Sequence, residues 1–175
     1  IMSTLDRAIV LDSRSYVARA VKAMALHDLY ADSRAAHSQA REALKANANF
    51  VPAKGMLGVT ELHLGNKDEG MRMLRETLDV GPDDANYHRH CREFALGQML
   101  IGDIDEAVRT ATKLHEEKPD MKRNVLVLAG LLAAAGKTDA GRRYIAELKA
   151  ATPGLALSTA RLPRFGDAAA GQRFH

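Results

Sequence analysis

Apolar residues recur along the chain at helical spacing, in segments that are rich in Ala, Leu, Arg, Lys and Glu. Such spacing places the apolar side chains on one face of a helix, and these residue types are good helix formers. Only five prolines and few β-branched runs interrupt the segments. The pattern therefore predicts an all-α fold.

The interruptions follow a fixed period. Three glycines each precede a proline by 17 residues, namely Gly65 before Pro82, Gly102 before Pro119 and Gly136 before Pro153. The distance is 34 residues from Pro119 to Pro153 and 37 from Pro82 to Pro119, so one unit carries three extra residues near 81–87. A fixed period of this length indicates stacked repeats that share one core.

Each repeat reads as two antiparallel helices. The glycine ends the first helix in the left-handed conformation, and the proline closes the second because it cannot continue the hydrogen-bond ladder. Short polar or acidic residues are predicted to open the second helices, at Asp68, Asp103 and Thr138. Small residues are predicted to let the paired helices approach each other, at Ala36, Gly70, Ala107 and Gly141. Larger apolar residues are predicted to fill the space between them, at Leu57, Leu74, Phe94, Leu114, Leu128, Ile145 and Leu148.

These residues resemble the tetratricopeptide repeat (TPR). The likeness rests on the 34-residue period, a small residue near the eighth position (Gly58, Ala95, Ala129), the turn glycine, the small twentieth residue and the proline at the thirty-second. Repeat 1 departs from it, with Ala31 in place of the glycine and Ala48 in place of the proline. The resemblance implies a right-handed superhelix of antiparallel helix pairs, an α-solenoid. Its units are the second helix of a partial preceding repeat (1–16), repeats 1 to 4 (17–50, 51–84, 85–121 and 122–155) and C-terminal capping helices (156–175).

A narrower resemblance comes from Asn47 to Ala53, from Gly81 to Asp84 and from the ending that runs from Pro153 to Asp167. These stretches resemble the C-terminal repeat regions of bacterial proteins in which the repeats follow a class III adenylate cyclase or a winged-helix DNA-binding domain. The resemblance implies a cytoplasmic regulatory or docking part of a larger signalling protein. We expect the fragment itself to be no enzyme, although the parent chain carries a cyclase domain if this parentage holds.

Composition and charge argue against nucleic-acid binding, an internal disulfide and a membrane span. The formal net charge is +3, from 25 basic and 22 acidic residues spread along the chain, which is typical of a solvated surface rather than a nucleic-acid-binding arm. A single cysteine, Cys91, excludes an internal disulfide. The longest apolar stretch, Val125 to Ala135, is too short to span a membrane. We expect no cofactor, no nucleic acid bound by this fragment and no membrane span.

The candidates for chemistry are weak. His88 and His90 are two residues apart and point to different faces of a helix, so they do not converge on a metal. Cys91 occupies a packing position, where a free cysteine acts as a small hydrophobe. Gly136-Lys137-Thr138 lacks the earlier glycine of a phosphate-binding loop, since that place is Leu131. His27, His37, His63, His115 and His175 are interpreted as dispersed, partly exposed side chains.

The resemblance implies a concave groove lined by the first helices of the repeats. The family's groove positions fall on Leu62, His63, Arg89, Arg92, Leu96, Met99, Arg123 and Leu126. The arginines would attract an acidic peptide or a C-terminal carboxylate, and the Leu and Met side chains would add apolar contact. Two alternatives stay open: the arginines are plain solvated surface, or the domain pairs two parent chains as a homodimer.

Overall fold

A computed structural model describes residues 1–154 of the chain, and all of its regular secondary structure over these residues is helical. This confirms the all-α prediction. The helices are α1 (Met2–Leu11), α2 (Tyr16–Tyr30), α3 (Ser33–Ala46), α4 (Val51–His63), α5 (Lys67–Glu76), α6 (Tyr87–Ile101), α7 (Ile104–Glu117), α8 (Lys122–Ala134) and α9 (Thr138–Ala151), with a short 3-10 helix over Thr77–Val80 after α5.

The chain forms two compact units, one over residues 1–90 and one that begins at Cys91. Helix α6 runs across this boundary. In the first unit α2 packs on α3, α3 on α4, and α4 on α5. In the second unit α7 packs on α8, and α8 on α9. Helix α3 therefore contacts both the first helix of its own pair, α2, and the first helix of the next pair, α4.

The turns inside the pairs adopt the predicted conformation. Gly65, Gly102 and Gly136 have φ angles of 93°, 97° and 77°. Glycine adopts this left-handed region without the strain that a Cβ atom causes. Ala31, which replaces the glycine in repeat 1, has a φ of 55° and ends α2 in the same way. The turn therefore survives the substitution, and Ala31 bears a conformation that costs a non-glycine residue energy.

The starts of the second helices differ from the prediction in detail. Asp103 is the N-cap of α7, but its side chain makes no capping hydrogen bond, and Asp68 and Thr138 lie inside the first turns of α5 and α9. Acidic residues in a first turn still stabilise the positive end of the helix dipole. Side-chain capping occurs instead at α3, where the carboxylate of Asp32 accepts the Ala35 N–H at 2.9 Å.

The small residues bring helix backbones into contact, as predicted. A Cβ atom built on Gly70 would lie 2.8 Å from the carbonyl oxygen of Gly58, and one on Gly141 would lie 2.7 Å from that of Ala129. Ala107, at the same place in α7, is fully buried. Around these contacts the predicted residues Leu57, Leu74, Leu114, Leu128 and Leu148 are buried, whereas Phe94 and Ile145 are partly buried.

The predicted capping helices at 156–175 lie outside the described residues. Within residues 1–154, every helix is too short or too polar to cross a membrane.

Candidate functional site

In the first unit, the predicted groove residue Arg89 reaches back to the first helix of repeat 1. Its Nη1 atom donates to the sulfur of Met24 at 2.7 Å, which places the start of α6 against the middle of α2. Arg89 remains half-buried. The side chain of Arg89 thus joins α6 to α2 through one hydrogen bond.

The other predicted residues of this unit, Leu62 and His63, end α4. Leu62 is only 7% exposed, because its side chain packs over Gly70 of the paired helix α5. His63 is half-buried, and its ring meets the ring of His27 edge-on at 4.8 Å between centroids. Of the two, His63 is the residue with surface available to a ligand.

A polar cluster surrounds this histidine pair. The Oγ atom of Ser33 lies 3.5 Å from Nδ1 of His63, and Nε2 of His37 lies 2.7 Å from a carboxylate oxygen of Glu61. The sequence interpretation of the histidines as dispersed was wrong for His27 and His63, whose rings meet although they are far apart in sequence. His37 and His63 are partly exposed, as predicted. His27 is in addition buried rather than partly exposed, and its Nδ1 atom has no hydrogen-bond partner in the described part of the chain.

Glu61 is held as a carboxylate by this cluster. Partial burial raises its pKa, but hydrogen bonds from Asn66 and His37 outweigh burial and lower the pKa below its ordinary value near 4.5. The side chain of Glu61 is 14% exposed and that of His37 is 17% exposed, so their hydrogen bond is shielded from solvent. The cluster therefore fixes a negative charge between α3 and α4.

In the second unit, the predicted groove residue Arg92 is buried and does not face solvent. It is 8% exposed, and its Nη1 atom donates to Oδ1 of Asn124 at 3.0 Å. The amide nitrogen of Asn124 in turn lies 3.5 Å from the carbonyl oxygen of Leu114. The sequence analysis did not identify Asn124. The feature that could have revealed it is a polar residue at a position of a first helix where apolar residues are expected. This chain of hydrogen bonds links α6, α8 and α7.

Two further predicted groove residues, Leu96 and Met99, belong to the core of the second unit. They are 8% and 9% exposed and pack with Ala107, Val108 and Leu128. Arg123 is exposed and Leu126 is half-buried. Of the predicted set in this unit, Arg123 and Leu126 are therefore the residues that a ligand can reach without rearrangement of the core.

His90 and Cys91, near the start of α6, are buried residues. Cys91 is buried, as its packing position predicts, and His90 is 2% exposed and lies against Gly55, whose missing side chain makes room for the ring. No group of three or more His, Cys, Asp or Glu side chains in residues 1–154 is arranged to hold a metal ion.

Comparison with known proteins gives structural likeness only. No family model and no curated protein matches the sequence. Among solved structures, MamA (residues 41 to the end) from Desulfovibrio magneticus RS-1 is 14% identical, with a TM-score of 0.63 over 87% of this chain and 86% of that one. The pilus biogenesis factor PilW is 18% identical, with a TM-score of 0.64 over 87% and 70% of the two chains.

A third solved structure is YrrB, described as a TPR protein with an unusual peptide-binding site. It is 16% identical, with a TM-score of 0.56 over 87% of this chain and 77% of that one. Identities this low establish the fold and nothing beyond it. The helix pairs, the left-handed turns and these likenesses together show that the chain has a TPR-like fold of stacked antiparallel helix pairs.

Proposed function

We propose that the chain is a protein-interaction module that binds a peptide or a partner domain on the surface of its first helices, α2, α4, α6 and α8. The observation that carries the proposal is the placement of Arg89 and Arg123. Both are predicted groove residues on first helices: Arg89, in the first unit, is half-buried, and Arg123, in the second unit, is exposed. YrrB, whose fold is similar, is described as having a peptide-binding site.

The chemistry of this surface favours an acidic ligand. Arg89, Arg123 and His63 supply donors, and Leu126 supplies apolar area. A guanidinium binds a carboxylate through two parallel hydrogen bonds, so an acidic side chain or a free C-terminus is the natural partner. The buried members Leu62, Leu96 and Met99 would support this surface from below, and Arg92 would hold α8 in place through Asn124.

The biological setting that we propose comes from the sequence resemblance. The module would be the cytoplasmic, regulatory C-terminal part of a larger bacterial signalling protein, behind a cyclase-like or winged-helix domain. It would not be an enzyme itself. In this setting, ligand binding would control the output domain.

An array of immobilised peptides tests the binding chemistry. Acidic and neutral sequences would each be presented with a free C-terminal carboxylate and with an amide. We expect retention of acidic peptides, and Arg123→Glu should weaken it about tenfold, since one charge-assisted hydrogen bond contributes about 1.5 kcal/mol or more.

Arg142→Glu is the matched control, because Arg142 is also exposed but lies on the second helix α9. It should leave retention within about twofold of the original value. Equal retention of acidic and neutral peptides, or equal losses in the two variants, would contradict the proposal.

Self-association is a second candidate, which one apolar patch favours. Val17 and Val21 lie one turn apart on α2 and are 48% and 41% exposed. Exposed apolar area of this kind is typical of contact surfaces. Light scattering over a concentration series would show a dimer that Val17→Ser with Val21→Ser dissociates. A constant mass near 19.0 kDa would exclude this candidate.

A further inference from the structure

The second unit contains a cavity that the proposed peptide surface does not use. Its volume is about 380 Å³, and it lies between the end of α7, the start of α8 and the end of α9. The buried side chains of Val125 and Leu148 line it together with the rings of His115 and Tyr144. The carboxylates of Asp120 and Glu147 are also part of its lining.

The corresponding place in repeat 2 is occupied by an ion pair. There Lys54, the fourth residue of α4, donates to Glu76, the tenth residue of α5, at 2.9 Å. In repeat 4 the fourth residue of α8 is Val125, and the tenth residue of α9 is Glu147. The acidic residue is thus present in both repeats, but the lysine is replaced by a shorter, uncharged side chain in repeat 4.

This replacement removes the lysine that pairs with the corresponding glutamate in repeat 2. Among the described residues, Glu147 makes no ion pair and no side-chain hydrogen bond. Lys122 also lines the cavity, yet it makes no ion pair with Glu147 or Asp120 there. In repeat 4 the cavity therefore lies where the Lys54 side chain lies in repeat 2. The carboxylate of Glu147 takes the place of the Glu76 carboxylate, which pairs with that lysine.

The rings suit a cationic guest. His115 and Tyr144 meet edge-on with centroids 5.2 Å apart, and Nδ1 of His115 is buried without a hydrogen-bond partner in the described part of the chain. The face of a tyrosine ring attracts a guanidinium or an ammonium group, and most strongly where water is excluded. The apolar walls would cover the methylene stem of such a side chain while its charged head meets Glu147.

We propose that this cavity binds a lysine or arginine side chain of a partner protein, which takes the place that Lys54 fills in repeat 2. The charge of the guest is opposite to that of the ligand proposed for the first helices. The inference does not depend on that proposal, because none of the predicted groove residues lines the cavity.

The probe that tests this inference is Nα-acetyl-L-arginine amide, which carries a single positive charge on its side chain. Added to the full chain, it should shift the backbone amide NMR signals at the start of α8 and the end of α9 in a saturable way. A single small contact of this kind predicts a dissociation constant on the order of a millimolar. Nα-acetyl-L-leucine amide is the neutral control probe and should bind at least about fivefold more weakly.

Variants separate the charge from the cavity. Glu147→Gln should weaken arginine-probe binding about fivefold, whereas Glu116→Gln, at an exposed glutamate outside the lining, should leave it unchanged. Val125→Lys would install the cation of repeat 2 and should abolish binding. If Val125→Lys fails to fold, the pair of glutamate variants still decides the question.

Three results would overturn the proposal. The first is equal binding of the arginine and leucine probes, which would show an apolar cavity only. The second is unchanged affinity in Glu147→Gln. The third concerns Arg161 and Arg164, which follow in the sequence. If replacing both with glutamine tightens probe binding about fivefold, the chain's own residues compete for the cavity and a partner's side chain is not its occupant.

Discussion

The contact at Gly70 gives the sharpest prediction about stability. A Cβ atom at this position would lie 2.7 Å from Cγ of Leu62, 2.8 Å from the Gly58 carbonyl oxygen and 2.9 Å from the Leu62 amide nitrogen. Two of these three atoms belong to the backbone of α4, which cannot move without shifting the whole helix. Any side chain at residue 70 must therefore push α4 and α5 apart.

The magnitude follows from two opposing effects. Alanine gains about 1 kcal/mol over glycine in a helix interior, and overpacking costs about 1 to 3 kcal/mol. Gly70→Ala should therefore lower the free energy of unfolding by up to about 2 kcal/mol, although a glycine-to-alanine change in an open helix would raise it. Gly70→Leu should lose about 1 to 3 kcal/mol, and Gly141→Leu should do the same against Ala129.

Urea denaturation followed by far-UV circular dichroism measures these changes, with the midpoints compared at unchanged denaturant dependence. Ala146→Gly in α9 is the control, because Ala146 is exposed and reports the helix-propensity effect alone, a loss of about 1 kcal/mol. A Gly70→Ala protein more stable than the original chain would refute the reasoning, since it would show that the helices have room for a side chain.

Three further predictions concern single residues. Ala31→Gly should raise the free energy of unfolding by about 1 kcal/mol, because it relieves the left-handed conformation at φ 55°; an unchanged urea midpoint would contradict this. Asn124→Ala should lower stability by about 1 to 3 kcal/mol in the same assay, because it removes an acceptor from the buried Arg92, and a neutral result would mean that the contact contributes nothing. The pKa of Glu61 is lowered in the folded chain, so its contribution to stability is present above its ordinary pKa near 4.5 and is lost as the pH falls through the lower folded value. Thermal melts below pH 4.5 should thus show a smaller acid-induced loss of stability in Glu61→Gln than in the original chain, and identical losses would exclude this role.

The fold was predictable because its signals are local. The spacing of Gly65, Gly102 and Gly136 from the following prolines marks the turn inside each helix pair. Each turn needs one residue with a positive φ, which glycine adopts without strain. The same reasoning missed that Ala31 keeps the left-handed turn, because the packing of α2 against α3 overrides the preference of a single alanine.

The surface was harder to predict because exposure depends on neighbouring helices. Arg92 and Arg123 are both predicted groove residues, yet their surroundings differ. Arg92 is buried and donates a hydrogen bond to Asn124, whereas Arg123 is exposed. The contact of His27 with His63 joins residues of two different repeats, and no local pattern reports it. The ligand-binding role of the predicted groove residues stays a prediction.

An amide NMR map of the chain with an acidic peptide that ends in a free carboxylate tests where the ligand binds. We expect the largest shifts on the first helices, around His63, Arg89, Arg123 and Leu126. Shifts confined to the second helices α3, α5, α7 and α9, or no saturable shifts with any acidic peptide from the array, would contradict the claim that the first helices form the binding surface.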